Sequence, residues 1–239
     1  DSSLMLMAGA GSGKTRVITH KIAYLVKEKG LDPGNVLGVT FTNKAAAEMK
    51  ARIEQLTGID ASRFVISTFH ALGLRMLRES GKDNGFGPDW SIIDDNEQRR
   101  IMDRLAREHL PGLTRDERDQ LRRRINLAKM NSLYPNNPDL LEARGFSSDE
   151  TGFFRRYHDF QTRERVWDFE DLVSLPVKML QGSPQLLRYY SDRFRYVVVD
   201  EFQDTNPNQY EMIRLLSGRN QGVTVVGDDD QAIYSWRGA

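Results

Sequence analysis

An apolar tetrapeptide, Leu4-Met5-Leu6-Met7, runs straight into Ala8-Gly9-Ala10-Gly11-Ser12-Gly13-Lys14-Thr15, and an amphipathic stretch carrying Val17, Ile18, Ile22, Ala23 and Leu25 follows. A short buried strand, a turn of glycines and small residues, and a helix opening on Lys-Thr can be joined in few ways. The glycines let successive backbone N–H groups close around an anion, and the helix points the positive end of its dipole at the same place. Residues Ala8 to Gly13 thus read as a phosphate-binding loop. In such a loop Lys14 reaches the β- and γ-phosphates of a nucleoside triphosphate, and the Thr15 hydroxyl sits on Mg²⁺. Ala8 occupies the place of the usual first glycine; as the end of the strand it needs only to be small. The alternative is a glycine-rich turn with an incidental lysine.

A phosphate loop of this kind needs a carboxylate at the end of another buried strand to hold the metal from the opposite side. Tyr196-Val197-Val198-Val199-Asp200-Glu201 provides one. Asp200 is placed to bind the hydrated Mg²⁺, and Glu201, one residue on, can act as general base on the attacking water. Two carboxylates closing a β-branched run point to hydrolysis of ATP rather than transfer to a metabolite. An exposed acidic turn is the other reading.

Further apolar runs at Val36–Thr42, Phe64–Ser67 and Val223–Val226 join these two as buried parallel strands, and helical patterns follow at 15–27, 44–56, 71–79 and 208–216. Near-continuous apolarity suits strands covered on both faces. Strand–helix alternation predicts an α/β fold, a doubly wound parallel sheet with the ligand beyond the carboxyl ends of its strands. Between the third and fourth strands the chain is too long for one crossover. Helical stretches at 96–108, 115–130, 151–165 and 168–180, broken by Pro and Gly, predict an all-helical insertion over residues 86–193, leaving 1–85 and 194–239 for the sheet. Arg99, Arg100, Arg104, Arg107 and Arg122-Arg123-Arg124 give the insertion an arginine excess, read either as a phosphate-contacting face or as a solvated face balanced by neighbouring acids.

Lys+Arg and Asp+Glu both number 34, so net charge identifies no partner, and the absence of cysteine suits a reducing cytoplasm. No apolar run approaches the ~20 residues that cross a bilayer, and no signal peptide is visible. The abrupt start at Asp1-Ser2-Ser3 and stop at Arg237-Gly238-Ala239 read as ends cut from something longer.

Three other strands end in polar clusters with aromatics: Phe41-Thr42-Asn43-Lys44, Ser67-Thr68-Phe69-His70, and Gly227 to Ala239 with Tyr234-Ser235-Trp236-Arg237. Aromatics flanked by Thr, Asn, His and Arg at one rim of a sheet suit stacking on unpaired bases, independent of sequence; each ring could instead be core. Together with Asp200-Glu201-Phe202-Gln203-Asp204-Thr205, these segments resemble the superfamily 1 DNA helicases of the Rep, UvrD and PcrA group, nearest to Rep, over nearly the whole chain.

That resemblance implies a RecA-like motor domain 1A with a helical subdomain 1B inserted. It places the nucleotide contacts on Ala8, Gly9, Ala10, Gly11, Ser12, Gly13, Lys14, Thr15 and Arg16, the metal on Thr15 and Asp200, and the catalytic glutamate on Glu201. It assigns γ-phosphate sensing to Gln231 and single-strand DNA contacts to Phe41, Thr42, Asn43, His70, Tyr234, Trp236 and Arg237. Phe202 stands where the family usually has Tyr, and Trp167-Asp168-Phe169-Glu170-Asp171-Leu172 resembles the segment returning from 1B. The family's adenine-reading glutamine segment and its second motor domain, with the arginine fingers, are not among these residues. The expectation is therefore the N-terminal part of an ATP- and Mg²⁺-dependent 3′→5′ helicase acting on single strands and single/double-strand junctions, weakly active by itself. A helicase–nuclease motor of the RecB or AddA type, or a non-catalytic nucleotide and single-strand binding module, are the alternatives.

Overall fold

The computed structural model describes residues 3–7, 9, 12–81, 89–218 and 222–228. Two compact units emerge, one formed by Asp1–Gly73 with Met179–Ala239 and the other by Leu74–Lys178; the sequence-based limits were 86 and 193.

The first unit is a five-stranded, wholly parallel sheet in the order β1-β7-β6-β2-β3. Its strands are β1 (Leu4–Met7), β2 (Val36–Thr40), β3 (Val65–Thr68), β6 (Tyr196–Val199) and β7 (Gly222–Gly227). Helices α1 (Lys14–Lys27) and α2 (Asn43–Thr57) cover one face. Ile18, Ile22, Met49 and Ile53 from these helices pack with Val36, Ile66, Val198 and Val226 from the strands. Side chains alternate along a strand, so Leu37, Val39, Val197 and Val199 lie on the opposite face, and they are just as fully buried. Helix α10 (Pro207–Ser217) packs on β6 and on α9 (Pro184–Arg193). The central strands are thus covered on both faces, as their apolar runs predict. β1 is the exception: among the described residues it is an edge strand paired with β7, and Leu4, Met5 and Met7 are exposed.

The second unit contains β4 (Ser91–Ile92), α4 (Asp95–His109), α5 (Arg115–Met130), α6 (Pro138–Ala143), α7 (Ser148–Glu164) and β5 (Val166–Trp167), with most of α3 (Phe69–Ser80) and α8 (Asp171–Gly182). It is helical apart from the two-residue parallel ladder of β4 and β5. Side-chain caps set its helix starts: Asp94 accepts the Glu97 N–H, and capping boxes pair Thr114 with Glu117 and Ser147 with Glu150. One core joins Leu105, Leu121, Ile125, Phe153, Phe154 and Tyr157. A smaller one gathers Leu77, Leu172 and Leu175 around Trp167, which stacks on Trp90 at 4.8 Å. Several arginines of the expected basic face are spent within the unit. Arg99 and Arg122 pair with Asp119, and Arg124 pairs with Glu150.

A buried ionic cluster ties this unit together. The Lys129 ammonium, fully buried, donates to Asp168 Oδ2 at 2.6 Å and to both Asp171 oxygens at 3.0 and 2.9 Å. Tyr157 and Gln98 donate to Asp168, and Tyr134 and Gln161 donate to Asp171. Burial alone would lower the lysine's pKa, but the two carboxylates more than offset it, and the ammonium form is favoured. Asp171 is pushed up to about 6 by burial and by the charge of Asp168.

Candidate functional site

All strands of the parallel sheet end on one rim, and every sequence-predicted residue that is described follows one of those ends. Gly9 and Ser12 to Arg16 follow β1, and Asp200 and Glu201 follow β6; Asp228, not itself among the predicted residues, follows β7 on the same rim. Phe41 to Asn43 follow β2, and His70 lies in the first turn after β3. Strand order puts the first set on the adjoining strands β1, β7 and β6, and the second on their neighbours β2 and β3. Ala8, Ala10, Gly11, Gln231, Tyr234, Trp236 and Arg237 lie outside the described residues.

Helix α1 opens on Gly13, whose φ of 90° is the left-handed conformation that glycine adopts without strain, and no side chain caps it. By contrast, α2, α4, α5, α7, α9 and α10 all have a side-chain cap. A helix start without a side-chain cap suits an anion. Thr19, buried within the helix, returns its hydroxyl to the carbonyls of Thr15 and Arg16. Beside the helix start, Lys14 donates to Asp228 Oδ2 at 3.2 Å, an ion pair whose side chains are 9% and 4% exposed.

Asp200 continues β6 by donating its N–H to the Val39 carbonyl, and its Oδ1 accepts the Glu201 N–H at 3.1 Å. Glu201 is one of the non-glycine residues with positive φ, at 54°, a conformation that costs of order 1 kcal/mol or more and clusters at functional sites. Its Oε2 accepts from Gln203 Nε2 at 2.7 Å. Burial pushes the Asp200 carboxyl up to about 6, the adjacent Glu201 charge adds to this, and Lys14 acts in the opposite sense. A buried carboxylate held against its neighbour's charge is a position that a divalent cation relieves. Among the described residues no group of three or more His, Cys, Asp or Glu could hold a metal. A single carboxylate with a hydroxyl suits Mg²⁺, which keeps waters and substrate phosphates as its other ligands. Asp200 and Thr15 therefore fit Mg²⁺ delivered with a nucleotide.

The raised Asp200 pKa makes a stability prediction. The folded value lies above the ordinary 3.8, so the group's contribution is fully present below about pH 4 and is lost as pH rises through about 6. Asp200→Asn should therefore stabilise the chain at pH 7.5 by about 1–3 kcal/mol and change little at pH 4. Urea denaturation at the two pH values checks this, and a loss of stability at pH 7.5 would contradict it.

On the other half of the rim, Phe41 is half-buried and meets the buried Phe69 edge to face at 6.2 Å. The exposed Thr42 caps α2 by accepting the Ala45 N–H at 3.1 Å, so its hydroxyl already has a local structural role. Asn43 is exposed and His70 half-exposed. Residues that sequence reasoning did not single out are Asp228 and Gln203. Each sits inside a recognised segment, but only the fold brings them to Lys14 and Glu201.

With this geometry in hand, comparison with known proteins is decisive for the family: the description UvrD/REP helicase N-terminal domain matches residues 1–239. The chain belongs to that family. Relatives named ATP-dependent DNA helicase PcrA match this UvrD/REP chain along its whole length. That of Staphylococcus epidermidis is 41% identical, and those of Leuconostoc citreum and Staphylococcus aureus are 40% identical. The chain spans about a third of the length of these relatives, 33%, 32% and 33% respectively. No helix among the described residues is long and apolar enough to cross a membrane.

Proposed function

We infer that these residues form the first motor domain (1A) and the helical 1B subdomain of an ATP-dependent 3′→5′ DNA helicase. The observation that carries this reading is the shared rim: Lys14, Asp200, Glu201 and Asp228 emerge from β1, β6 and β7, next to Phe41–Asn43 and His70 from β2 and β3. Lys14 and the uncapped α1 bind the triphosphate, Thr15 and Asp200 hold its Mg²⁺, and Glu201 takes the proton of the attacking water. Gln231 senses the γ-phosphate. Phe41, Thr42, Asn43, His70, Tyr234, Trp236 and Arg237 grip single-stranded DNA beside a duplex junction. A cell's cytoplasm is its place of work. Charge stabilisation by arginines across the cleft contributes roughly 10³–10⁵ in rate in such enzymes, so the 239 residues alone hydrolyse ATP slowly and do not separate strands.

A stacked base contributes ~1–3 kcal/mol. Phe41→Ala should weaken binding of a fluorescent oligo-dT by about tenfold, with the same loss on mixed sequences. Anisotropy titration measures it. Unchanged affinity combined with a lowered melting temperature would make Phe41 a packing residue against Phe69 and remove β2 from the DNA reading.

A further inference from the structure

The geometry assigns Gln203 as a positioning residue for the hydrolytic base, and as the link from that base to Lys14. This rests on the reading of Glu201 as the base. Gln203 belongs to the single turn Phe202–Asp204 that follows Glu201, and both ends of its amide are used. Its Nε2 donates to Glu201 Oε2 at 2.7 Å, while its Oε1 accepts the backbone N–H of Asp228 at 3.0 Å. A carboxylate can only accept and a backbone N–H can only donate, so these neighbours fix the orientation of the amide.

The seat for this amide is built into the end of β7. A Cβ on Gly227 would come within 2.9 Å of Gln203 Oε1 and 3.4 Å of its backbone nitrogen. With a Cβ at 227 the amide oxygen would have to shift. Residue 228, whose N–H is held, is the same residue whose carboxylate pairs with Lys14. A continuous chain of contacts therefore runs from Glu201 through Gln203 and Asp228 to the lysine of the phosphate loop. Glu201 itself sits on a left-handed backbone, and the Gln203 amide holds its carboxylate in one orientation. When a triphosphate draws Lys14 toward its phosphates, its ion pair with Asp228 is perturbed. Gln203 passes any shift of the residue 228 backbone to the base. Triphosphate arrival and base alignment are thereby coupled without direct contact between Lys14 and Glu201.

The experiment measures DNA-stimulated phosphate release in the whole protein carrying these residues, with Glu201→Gln, Gln203→Met, Gln203→Glu and the double variant Glu201→Gln/Gln203→Met. Loss of one charge-assisted contact predicts a kcat about tenfold lower for Gln203→Met, with KM for ATP within about twofold. In Gln203→Glu the introduced carboxyl repels Glu201 when ionised. When protonated it reproduces the amide, donating to Glu201 and accepting from Asp228. Its kcat relative to the parent should therefore recover as pH falls from 8.5 to 6, whereas that of Gln203→Met should not. In the double variant, the Gln203→Met effect should vanish because the base is already gone.

If Gln203→Glu does not fold, Gln203→Met and the double variant still decide the question. Parental turnover by Glu201→Gln would overturn the base reading and this inference with it. If Glu201→Gln is inactive, a parental kcat for Gln203→Met, or an effect that persists undiminished in the double variant, would overturn the inference alone.

Discussion

Replacing Glu201 by Gln in the whole protein is expected to leave Mg²⁺–ATP affinity within about twofold of the parent and to lower DNA-stimulated turnover by on the order of 10²-fold or more. The substitution keeps the side chain's size and its ability to accept from Gln203 Nε2, now 2.7 Å away. It removes only the capacity to take a proton from water. A group that acts in the transition state and not in the ground state shifts kcat and spares binding. Asp200→Asn differs in kind, because that carboxylate is the proposed metal ligand; its loss should appear as a weakened Mg²⁺ dependence. Phosphate release at saturating ATP and oligo-dT separates the two, and a Glu201→Gln rate near the parent's would move the base to another residue.

The largest expected effect on stability lies in the second unit. Lys129→Met should cost about 3–5 kcal/mol at pH 7.5, because it strands two carboxylates in a core where Asp168 and Asp171 are 1% and 3% exposed. Without the ammonium both carboxyls are held above their ordinary value by burial and by each other. Their protonated forms are then favoured by folding, and the destabilisation grows as pH rises above about 4 and shrinks below it. Chemical denaturation followed through the stacked pair Trp90 and Trp167, which belongs to this unit, reads the loss where it occurs. Equal stability of variant and parent at pH 7.5 would contradict the buried ionic cluster.

Much of the sheet and its rim was legible because β-branched runs ending in polar clusters mark both a strand and its carboxyl end. β2, β6 and β7 begin and end within a few residues of their apolar runs. The same signal misjudged β1. Four apolar residues reveal a strand but not whether it has neighbours on both sides, and among the described residues Leu4-Met5-Leu6-Met7 lies on an edge with its side chains largely exposed. Two helices went unread. The breaks expected at Pro135 to Pro138 and at Gly182 to Pro184 do separate helices, but Pro138 and Pro184 also open α6 and α9 at the first helical position, where a missing N–H costs nothing. The β4–β5 ladder, two residues on each strand, is too short to leave a periodic trace.

Pairings distant in sequence were not readable at all. Lys129 lies 39 residues from Asp168 and 42 from Asp171, and nothing local distinguishes it from the other cations of α5. The same holds for Gln203 and Asp228, 25 residues apart. The motifs located the chemistry, and the sheet order was needed to bring Asp228 to Lys14.

The nucleotide site is tested most directly by equilibrium titration of the 239-residue chain with a fluorescent ATP analogue in Mg²⁺, for the parent and for Lys14→Ala. A lysine held against phosphates is a fixed charge whose contacts contribute roughly 1.5–3 kcal/mol. The account predicts saturable, Mg²⁺-dependent binding by the parent and affinity about tenfold or more lower for Lys14→Ala, with unchanged helical circular dichroism. Equal affinity in the two proteins, or none in the parent, would contradict it.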